Sequence, residues 1–599
     1  MAEPTIQLGG GNWAGKSGNL LGYYEQNKKF YAEDFTFSRS TTGTYTDKDG
    51  YIQEMPYNLL QYSEDYSQIY WRKDKLTATA NSATSPSGLT DAFLIQETTY
   101  TNSVPSFDLQ SSNTLSVGTY TFSFYVKNNN GRYLGISFGS SGERVRTNFD
   151  FNTNTFKTLN LSGSTTGSAS YTTLGDYYRI SVTATFPSSV GADVVLMPLE
   201  TDTYPFFAFQ DSDNRSFYLW GVQLVKGTSA KTYFPTTTRL NMPRVDYLNN
   251  SNGSLILEPQ RTNYCKNSEY KSIYDYNDSV TVEDVDIVTP YGITSNAVKI
   301  NSVQGDNSPI RAAGATALSQ QFSQNDVITI SGYVKYNEGF RYVQFGGYFG
   351  SESARFDLQE GVVIQNLTNV ISSSITPFGN DWYRVVVTYT FQDSISNGLL
   401  YAGWVLSTNT SFSFTNAPIG SIYAWGVQIE LASYPTSYIP TSGSSVTRNA
   451  DACSITNVAD RIGQTEGTLY SEFDLTEDNN FTLVEINLGN SVSDRILAYR
   501  NASYIQFIVQ VGGYIEINNS TLVTFLDTNK IAITYQTDDF KIYLNGSLVK
   551  TYTSGSIPSS LDTVALQDPN LLGKKQGIKS LILFKEILSD TELTALTTI

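Results

Sequence analysis

An internal repeat constrains this sequence more than any other feature. The stretch WGVQLVKGTSAKTYFPTTTR, which begins at Trp220, recurs as WGVQIELASYPTSYIPTSGSSVTR from Trp425. The same offset of 205 residues is held at three anchors: Trp220 and Trp425, Asp176 and Asp381, and Asn58 and Asn263. An offset that is held at separated anchors, with local identity at each, indicates a duplicated module. We therefore predict two copies, at residues 57–240 and 262–450.

The strands within the copies show a period of two residues. In the segment 177–186, apolar side chains fall on one face: Tyr178, Ile180, Val182, Ala184 and Phe186. The other face carries Arg179, Ser181, Thr183 and Thr185. This alternation is typical of a half-buried antiparallel strand. Because several such strands are separated by Gly, Asn and Ser turns, the sequence predicts an all-β fold of tandem antiparallel jelly-roll β-sandwiches.

The remaining segments lie before, between and after the two copies. A length of 599 residues predicts about three or four domains. We expect an N-terminal segment, a β-hairpin segment, a linker hairpin, a second linker and a third module, at residues 1–34, 35–56, 241–261, 451–465 and 466–599. The N-terminal segment fits either an arm that folds against a partner or strands added to the edge of the next module.

Two local signals mark the third module. Asn545-Gly546 predicts a type I′ turn between two strands. The segment SDTELTALT predicts a short C-terminal helix, because Ser589 and Glu592 have the spacing of a capping box.

Charge and residue content exclude several classes of function. The net charge of −17 and the lack of a basic run predict no binding to nucleic acid. The chain has no His, which excludes Ser-His-Asp and Cys-His catalysis and removes the usual catalytic zinc ligand. The N-terminus has no secretory pattern, and no apolar run approaches the ~20 residues of a membrane helix. We expect a soluble protein, made in the cytosol, that does not insert into membranes.

The chain has two cysteines, Cys265 and Cys453, near the two ends of the second copy. Two free buried thiols are one interpretation. A disulfide that clasps the module is the other, and it needs an oxidising compartment and suitable geometry. The sequence leaves both open.

Several phrases of the chain resemble a set that recurs in structural proteins of tailed phages, often phages of Bacteroidetes. These are FTFSRSTTGTYTDKDGYI, PRVDYLNNSNGSLILEPQRTN and WGVQIELASYPTSYIPTSGSSVTRNAD, together with the opening GNWAGKSGNLLGYY. The two copies resemble carbohydrate-binding-module-like sandwiches. The third module resembles a concanavalin A/laminin G-like sandwich through YLNG and LILFKEILSDTEL. In the proteins that the chain resembles, the first phrase usually runs directly into the second. In this chain a whole sandwich separates the first phrase, at 37–50, from the second, at 243–263.

The resemblance implies a virion fibre or a head/tail appendage, assembled in the host cytoplasm. The N-terminal segment would dock onto other virion proteins, and the third module would contact host cell-surface glycans. Homotrimers are the usual symmetry of such appendages, and many copies on one particle would make weak sugar sites effective. One alternative is a purely structural decoration or assembly protein without sugar binding. The second alternative is a polysaccharide depolymerase.

The depolymerase alternative depends on the segment EFDLTE. Glu472, Asp474 and Glu477 fit the E-x-D-x-x-E pattern of concanavalin-like glucanases, whose carboxylates act as nucleophile and acid. No Trp-rich groove flanks the segment, and a solvated strand face accounts for the same alternation. We therefore predict that the chain is not an enzyme and assign no catalytic residue.

No cofactor and no metal site are predicted. Ca²⁺ is the one ion for which the sequence offers oxygen ligands: Asp47, Asp49, Gly50, Asp451 and Asp460. Their spacing matches no defined Ca²⁺ loop, so turn chemistry is the simpler interpretation.

Aromatic residues are the candidates for sugar binding. Trp220 and Trp425 could stack on sugar rings, but each lies in a strand of apolar rhythm, which favours core packing. Tyr504 and Tyr514, in predicted loops of the third module, are the candidate glycan-binding residues.

Overall fold

The structure, a computed structural model, folds into two compact units. Unit 2 is Pro56–Asn241, and unit 1 combines Met1–Met55 with Met242–Ile599. The prediction of an all-β chain of tandem antiparallel sandwiches is confirmed. The structure describes residues 3–11, 13, 15–16, 19–24, 29–39, 41–55, 58–109, 114–115, 118–140, 142–201, 210–230, 233–236, 243–248, 251–274, 276–303, 310–314, 322–347, 351–392, 402–412, 419–475, 480–567 and 576–599.

The N-terminal part of unit 1 supplies strands to larger sheets. Its strands are Ile6–Gly9 (β1), Gly15–Lys16 (β2), Asn19–Tyr24 (β3), Lys29–Ser38 (β4), Thr44–Thr46 (β5) and Ile52–Glu54 (β6). β5 and β6 form the predicted hairpin. In its turn, the Asp47 carboxylate accepts the backbone N–H groups of Asp49 and Tyr51 at 3.0 and 2.9 Å. The Asp47 carboxylate therefore stabilises this turn through hydrogen bonds to its backbone.

Unit 2 is a sandwich of two main sheets around one core. Its strands are Trp71–Asp74 (β7), Leu76–Thr84 (β8), Thr90–Glu97 (β9), Ser106–Leu109 (β10), Thr114–Leu115 (β11), Gly118–Asn128 (β12), Tyr133–Ser140 (β13), Glu143–Asp150 (β14), Thr155–Phe156 (β15), Asn160–Ser162 (β16), Thr166–Leu174 (β17), Tyr177–Phe186 (β18), Val190–Gly191 (β19), Val194–Leu199 (β20) and Ser216–Lys226 (β21). One sheet has the order β17-β18-β12-β21-β9-β8, and the other has β15-β14-β13-β20-β10-β7, with β16 also paired to β14. The predicted apolar face of β18 packs into the core between them.

The second copy, in unit 1, repeats this architecture. The linker hairpin that precedes it supplies Arg244–Asp246 (β22) and Ser254–Leu257 (β23). The copy itself has a 3₁₀ turn at Lys271–Ile273. Its strands are Arg261–Asn263 (β24), Tyr276–Asp278 (β25), Val280–Val288 (β26), Thr294–Ser302 (β27), Ile310–Gly314 (β28), Val327–Glu338 (β29), Tyr342–Gly346 (β30), Ser353–Asp357 (β31), Val362–Asn366 (β32), Val370–Phe378 (β33), Trp382–Thr390 (β34), Ala402–Ser407 (β35), Ser421–Leu431 (β36) and Val446–Arg448 (β37). Its two sheets run β26-β27-β36-β29-β34-β33 and β25-β28-β35-β30-β31-β32.

The duplication extends to individual hydrogen bonds. Asn58 and Asn263 are both fully buried, and each bonds four backbone groups. Asn58 bonds Val222 O, Phe234 O, Leu60 N and Leu224 N, at 2.8, 3.3, 3.0 and 2.9 Å. Asn263 bonds Val427 O, Ile439 O, Cys265 N and Ile429 N, at 3.3, 2.8, 3.0 and 3.0 Å. Every partner is shifted by the same 205 residues, so the two asparagines hold equivalent segments together by hydrogen bonds.

The C-terminal sandwich is built from chain segments that are far apart in sequence. Its own elements are Ala452–Ile455 (β38), Glu466–Asp474 (β39), Asn480–Asn487 (β40), Arg495–Asn501 (β41), Tyr504–Val511 (β42), Tyr514–Leu522 (β43), Thr528–Gln536 (β44), Asp539–Leu544 (β45), Ser547–Tyr552 (β46), Thr563–Ala565 (β47), Gln576–Phe584 (β48) and helix Asp590–Thr597 (α1). One sheet runs β22-β23-β48-β39-β44-β45-β46, with β1 paired to β48. The other runs β2-β3-β4-β38-β47-β40-β41-β42-β43.

Local signals of the third module are present as expected. Asn545 and Gly546 have φ angles of 49° and 81°, the left-handed pair of a type I′ turn, between β45 and β46. At α1, Ser589 and Glu592 form both halves of the capping box. α1 covers eight residues, and in the described ranges no helix has the length and apolar character needed to cross a bilayer.

The N-terminal segment is part of this sandwich. Ile6 and Leu8 of β1 are buried in its core, because β1 pairs with β48 and alternates its side chains into the interior. β4 pairs with β38 in the facing sheet and buries Phe35 and Phe37 there. The strands thus join the third module rather than the next module in sequence, and docking of this segment onto a particle stays a prediction.

A buried ion cluster joins three distant segments of unit 1. Arg39 donates to Asp451 at 2.7 Å, and Arg244 also donates to Asp451. Arg244 and Arg448 bond Glu258 at 2.9 and 2.7 Å. All five side chains are at most 1 % exposed. Burial alone would raise the pKa of Asp451, but Arg244 and Arg39 outweigh it and hold that pKa below its ordinary value.

The two cysteines lie in different hydrophobic cores. Cys265 packs in the core of the second copy, and Cys453 packs in that of the C-terminal sandwich. Both are free thiols, which matches the first of the two interpretations. Burial raises the pKa of the Cys265 thiol to about 12 and also raises that of Cys453.

Candidate glycan-binding surface

One face of the nine-stranded sheet carries polar side chains in adjacent rows. Along β40 to β43, Ile486, Ile496, Phe507 and Ile517 point into the core. The alternate positions point outward. We call the polar side chains at these outward positions the outer polar face. They are Thr482, Glu485, Asn487, Arg495, Tyr499, Gln506, Gln510, Asn518, Ser520, Thr563 and Gln567.

Hydrogen bonds hold several of these side chains in fixed positions. Asn487 donates from Nδ2 to Oε1 of Glu485 at 3.0 Å. Arg495 donates from Nε to Oε1 of Gln510 at 2.6 Å, between directly opposite positions of β41 and β42. The Glu485 carboxylate and the Arg495 guanidinium balance in charge, and the same face also carries amides, hydroxyls and the apolar side chains of Leu497 and Ile508.

The outer polar face becomes more exposed towards the edge of the sheet. Glu485 and Asn487 on β40 are fully buried. Gln506 on β42 donates to Asn518 and accepts from Ser520, and these two residues of β43 are exposed. Amides and hydroxyls of this kind can both donate and accept, which suits a ligand that is rich in hydroxyl groups.

Gln567 is the one member of the outer polar face with unsatisfied amide atoms among the described residues. It follows β47 and is 4 % exposed. Within the part of the chain that the structure describes, neither its Nε2 nor its Oε1 has a hydrogen-bond partner. A buried polar group without a partner costs about 1–3 kcal/mol, so the site favours a bound hydroxyl or a water there.

The predicted glycan residues Tyr504 and Tyr514 lie on this sheet but not together. Tyr504 begins β42 and is 42 % exposed, and Tyr514 begins β43 and is 79 % exposed. Tyr504 faces Leu522 across the hairpin, whereas Tyr514 faces Val511 at the other end. Seven residues of strand separate the two positions, which corresponds to roughly 23 Å. A role for either tyrosine in sugar binding stays a prediction.

The acidic segment of β39 lies on the other sheet. Glu472 and Asp474 share one face through strand alternation, and Lys579 lies 3.7 and 3.5 Å from their carboxylates. Asp474 also accepts from Ser254 and Thr528, at 2.7 and 2.9 Å. Glu477 lies outside the described residues. Glu472 therefore lies beside a lysine, and the predicted pair of Glu472 with Glu477 lies partly outside the described residues.

The two repeated tryptophans are core residues. Trp220 and Trp425 are 7 % and 1 % exposed, so neither offers a ring face to a sugar. Trp425 packs against Tyr438 with ring centroids 4.6 Å apart. Tyr438 in turn donates to Glu269 at 2.9 Å. Burial raises the pKa of Glu269 to about 7.

The Ca²⁺ candidates do not converge. Asp47 is engaged in the β5–β6 turn, and Asp451 belongs to the buried ion cluster. Across the ranges that the structure describes, no three acidic or cysteine side chains form a group suited to a metal ion.

Sequence reasoning missed the outer polar face, although a weak signal exists. In ILAYRNASYIQFIVQV, polar and apolar residues alternate through β41 and β42. The outward residues are large and partly apolar, so the pattern is also that of a strand buried on both faces. Only the register of three strands aligns Asn487, Arg495 and Gln510 in one row.

Comparison with known proteins gives weak structural matches. No family model and no curated protein matches the chain. The carbohydrate-binding module CBM40 of the Ruminococcus gnavus IT-sialidase, bound to α2,3-sialyllactose, is 18% identical with a TM-score of 0.20, over 22% of this chain and 84% of that one. The CBM22-1-CBM22-2 tandem of Paenibacillus barcinonensis Xyn10C is 14% identical with a TM-score of 0.23, over 63% and 98%. Scores this low carry no argument about ligands.

The prediction that the chain is not an enzyme is contradicted by a third match. Trypanosoma rangeli sialidase covers 94% of this chain and 98% of its own, at 9% identity and a TM-score of 0.20, and it is an enzyme. The prediction depended in part on the missing histidines, and glycoside hydrolysis by carboxylates or by a Tyr nucleophile needs none. The match assigns no catalytic residue to this chain.

Proposed function

We propose that this chain is a tailed-phage appendage protein that binds host-surface glycans through the outer polar face of its C-terminal sandwich. The observation that carries the proposal is the set of amide, hydroxyl and charged side chains aligned across β40 to β43. Rigid strands hold these groups in place, so little ordering is needed when a sugar binds.

The phage assignment depends on the resembling phrases, which come together in unit 1. Arg39 comes from the first phrase, Arg244 and Glu258 from the second, and Arg448 and Asp451 from the third. These five residues form the buried ion cluster. The phrases therefore behave as one structural element, even though unit 2 separates them in sequence.

The ligand that fits this face is a neutral, hydroxyl-rich saccharide. Glu485 and Arg495 balance in charge, and the net charge of the chain is −17. An acidic polysaccharide would meet long-range repulsion from the chain as a whole. Hydroxyls of a neutral sugar can exchange bonds with Gln506, Gln510 and Asn518.

Binding of the full chain to arrays of bacterial envelope glycans tests the proposal. Gln510→Ala should weaken binding by about tenfold, because one side-chain hydrogen bond contributes about 1 kcal/mol or slightly more. Thr551→Ala, on exposed β46 of the opposite sheet, is the matched control and should bind like the unchanged chain.

Two other outcomes would point to the alternatives. If no glycan binds while the chain is found in purified virions, the purely structural role stands. If the polysaccharide is cleaved and Glu472→Gln abolishes cleavage, the depolymerase role stands. Cryo-EM of the virion tests the particle assignment independently, and absence of the chain from every virion map would contradict it.

A further inference from the structure

The turn between β8 and β9 in unit 2 is equivalent to the turn between β26 and β27 in the second copy. Both turns are closed by the same two backbone hydrogen bonds: Ser85 N to Leu89 O (2.8 Å) and Gly88 N to Ser85 O (3.0 Å) in unit 2, and Thr289 N to Ile293 O (3.1 Å) and Gly292 N to Thr289 O (2.9 Å) in the second copy. Matched through these bonds, Ser87 stands where the second copy has Tyr291.

In the second copy, Tyr291 places a phenol ring against the repeated tryptophan. Its ring lies edge-to-face with Trp425, with ring centroids 5.0 Å apart and an interplanar angle of 82°. Its hydroxyl donates to Oε1 of Glu269 at 3.3 Å, and Tyr438 donates to the same oxygen at 2.9 Å. The second copy therefore supplies one aromatic contact and one hydrogen bond from a phenol of its own chain.

Unit 2 keeps the aromatic rings and the carboxyl of this arrangement. The ring centroids of Trp220 and Tyr233 lie 4.7 Å apart, close to the 4.6 Å of the equivalent pair in the second copy. Glu64 occupies the position of Glu269 and hydrogen-bonds Tyr233, and burial raises the pKa of Glu64. The groups that Tyr291 contacts in the second copy thus have counterparts in unit 2.

The phenol itself has no counterpart at this turn of unit 2. Ser87 carries no ring, and its hydroxyl donates to Oδ2 of Asp91 at 3.2 Å. Among the described residues, the rings that contact Trp220 are those of Tyr125 and Tyr233. The side of Trp220 that corresponds to the Tyr291 contact therefore lacks an aromatic neighbour.

The missing ring leaves this part of unit 2 more open than its counterpart. Trp220 is 7 % exposed, against 1 % for the equivalent tryptophan, and Tyr233 is half-buried, against 2 % for the equivalent tyrosine. A Cβ added at Gly88 would meet no atom of the described chain within 4 Å, whereas one at Gly292 would lie 2.6 Å from the ring of Tyr51.

Two buried polar atoms in this region have no hydrogen-bond partner among the described residues: Tyr177 Oη and Asp91 Oδ1. Tyr177 packs in the same aromatic cluster as Trp220. Burial raises the pKa of Tyr177 and of Glu64, and the nearby Asp91 raises both further. Since a buried polar atom without a partner is costly, these atoms favour a bound group that can form hydrogen bonds.

We propose that unit 2 binds the side chain of a tyrosine from a partner protein, with its ring against Trp220 and its hydroxyl donating to Glu64. The chain itself carries the argument for this ligand, because Tyr291 makes the same two contacts with the equivalent residues of the second copy and arrives there on a peptide turn. An edge-to-face aromatic contact and a hydrogen bond to a buried carboxyl together recognise a phenol.

Ligand-observed NMR with the full-length chain tests the site. The probes are p-cresol, which is the tyrosine side chain as a free molecule, and N-acetyl-tyrosinamide. Both should bind saturably, with a Kd of roughly 1 mM for ligands this small. Toluene and N-acetyl-phenylalaninamide lack the hydroxyl and should bind about tenfold more weakly, because the hydrogen bond to Glu64 is lost.

Ser87→Tyr should fill the opening from within the chain. The second copy carries a tyrosine at this turn position, so the variant should fold, and it should no longer bind p-cresol. Ser87→Ala is the matched control and should bind like the unchanged chain. Gln510→Ala, on the outer polar face, should also leave p-cresol binding unchanged, so failure of this site and failure of glycan binding are distinguishable.

Tyr291→Ser is the complementary test in the second copy. It removes the internal phenol and leaves a ring-sized space, and such apolar cavities take up small aromatic molecules. The amount of p-cresol bound at saturation should then double. Thermal unfolding checks that each variant is folded.

Several results would overturn the proposal. One is a lack of saturable p-cresol binding up to about 10 mM. Another is binding that survives Ser87→Tyr or that is equal for p-cresol and toluene. Binding of p-cresol without binding of N-acetyl-tyrosinamide would contradict a tyrosine as the ligand. Unchanged saturation in Tyr291→Ser would show that the phenol of Tyr291 does not stand in for a ligand.

Discussion

Arg39 donates a hydrogen bond from Nη1 to Oδ1 of Asp451 at 2.7 Å, across 412 residues of chain. Both side chains are fully buried. Asp451 also binds Arg244, so one carboxylate joins the segment before unit 2, the segment after it and the segment before the C-terminal sandwich. This contact shows that the interrupted parts of unit 1 close into one body.

The buried cluster makes unit 1 sensitive to loss of this carboxylate. Asp451→Asn leaves Arg39 and Arg244 without their shared anion in a dry interior. Breaking a buried ion pair from one side costs about 3–5 kcal/mol. We expect the unfolding transition of unit 1 to shift strongly to lower denaturant concentration, while that of unit 2 stays in place. Asp176→Asn, which breaks an exposed pair with Lys127, should shift neither transition.

Unit 2 should be removable from the chain. Tyr247 donates its backbone N–H to Thr46 O at 2.9 Å, and Met55 donates to Gly43 O at 2.8 Å, so the chain leaves and re-enters unit 1 at neighbouring places. A variant in which a short Gly-Ser linker replaces residues 56–241 should fold, with the circular dichroism of a β protein and one cooperative transition. An insoluble or molten product would contradict this expectation.

The buried asparagines offer a paired test of the duplication. Asn58→Ala removes the side chain that bonds four backbone groups in unit 2, and Asn263→Ala does the same in unit 1. Several buried groups lose their partner, so we expect each change to cost about 3 kcal/mol. Hydrogen exchange should show each loss confined to its own unit. If either substitution increased hydrogen exchange in both units, the two asparagines would not act independently, and the expectation would be contradicted.

The buried carboxyl of Glu269 should make unit 1 less stable at alkaline pH. Burial raises its pKa from 4.5 to about 7, so the folded state favours the protonated form. The stabilisation is complete below about pH 4.5 and is lost as the pH rises through about 7. Two and a half pKa units correspond to at most about 3 kcal/mol.

Glu269→Gln tests this pH dependence directly. The uncharged amide cannot titrate, so the unfolding free energy of unit 1 should fall less between pH 5 and pH 8.5 than in the unchanged chain. Tyr438 and Tyr291 donate to this carboxyl, and Glu54 lies near enough to raise its pKa further. Identical slopes for the two proteins would show that Glu269 does not titrate in this range.

Much of the fold could be predicted from local patterns. The alternation in β18, the Asn545-Gly546 turn and the Ser589 capping box are short-range signals, and each forms as expected. The surface that we propose for sugar binding could not be predicted in the same way. Its rows join Asn487, Arg495 and Gln510 from three strands, and register between strands is set by packing on the core side.

The sequence by itself determined that the chain is all-β, duplicated at an offset of 205 residues and acidic, because periodicity, self-similarity and charge are properties of the linear chain. Only the tertiary structure decided that β1 and β4 complete the C-terminal sandwich and that Arg39, Arg244 and Asp451 meet. These contacts join segments hundreds of residues apart. Their stability comes from burial and from charge pairing in a dry interior, and neither leaves a local trace in the sequence.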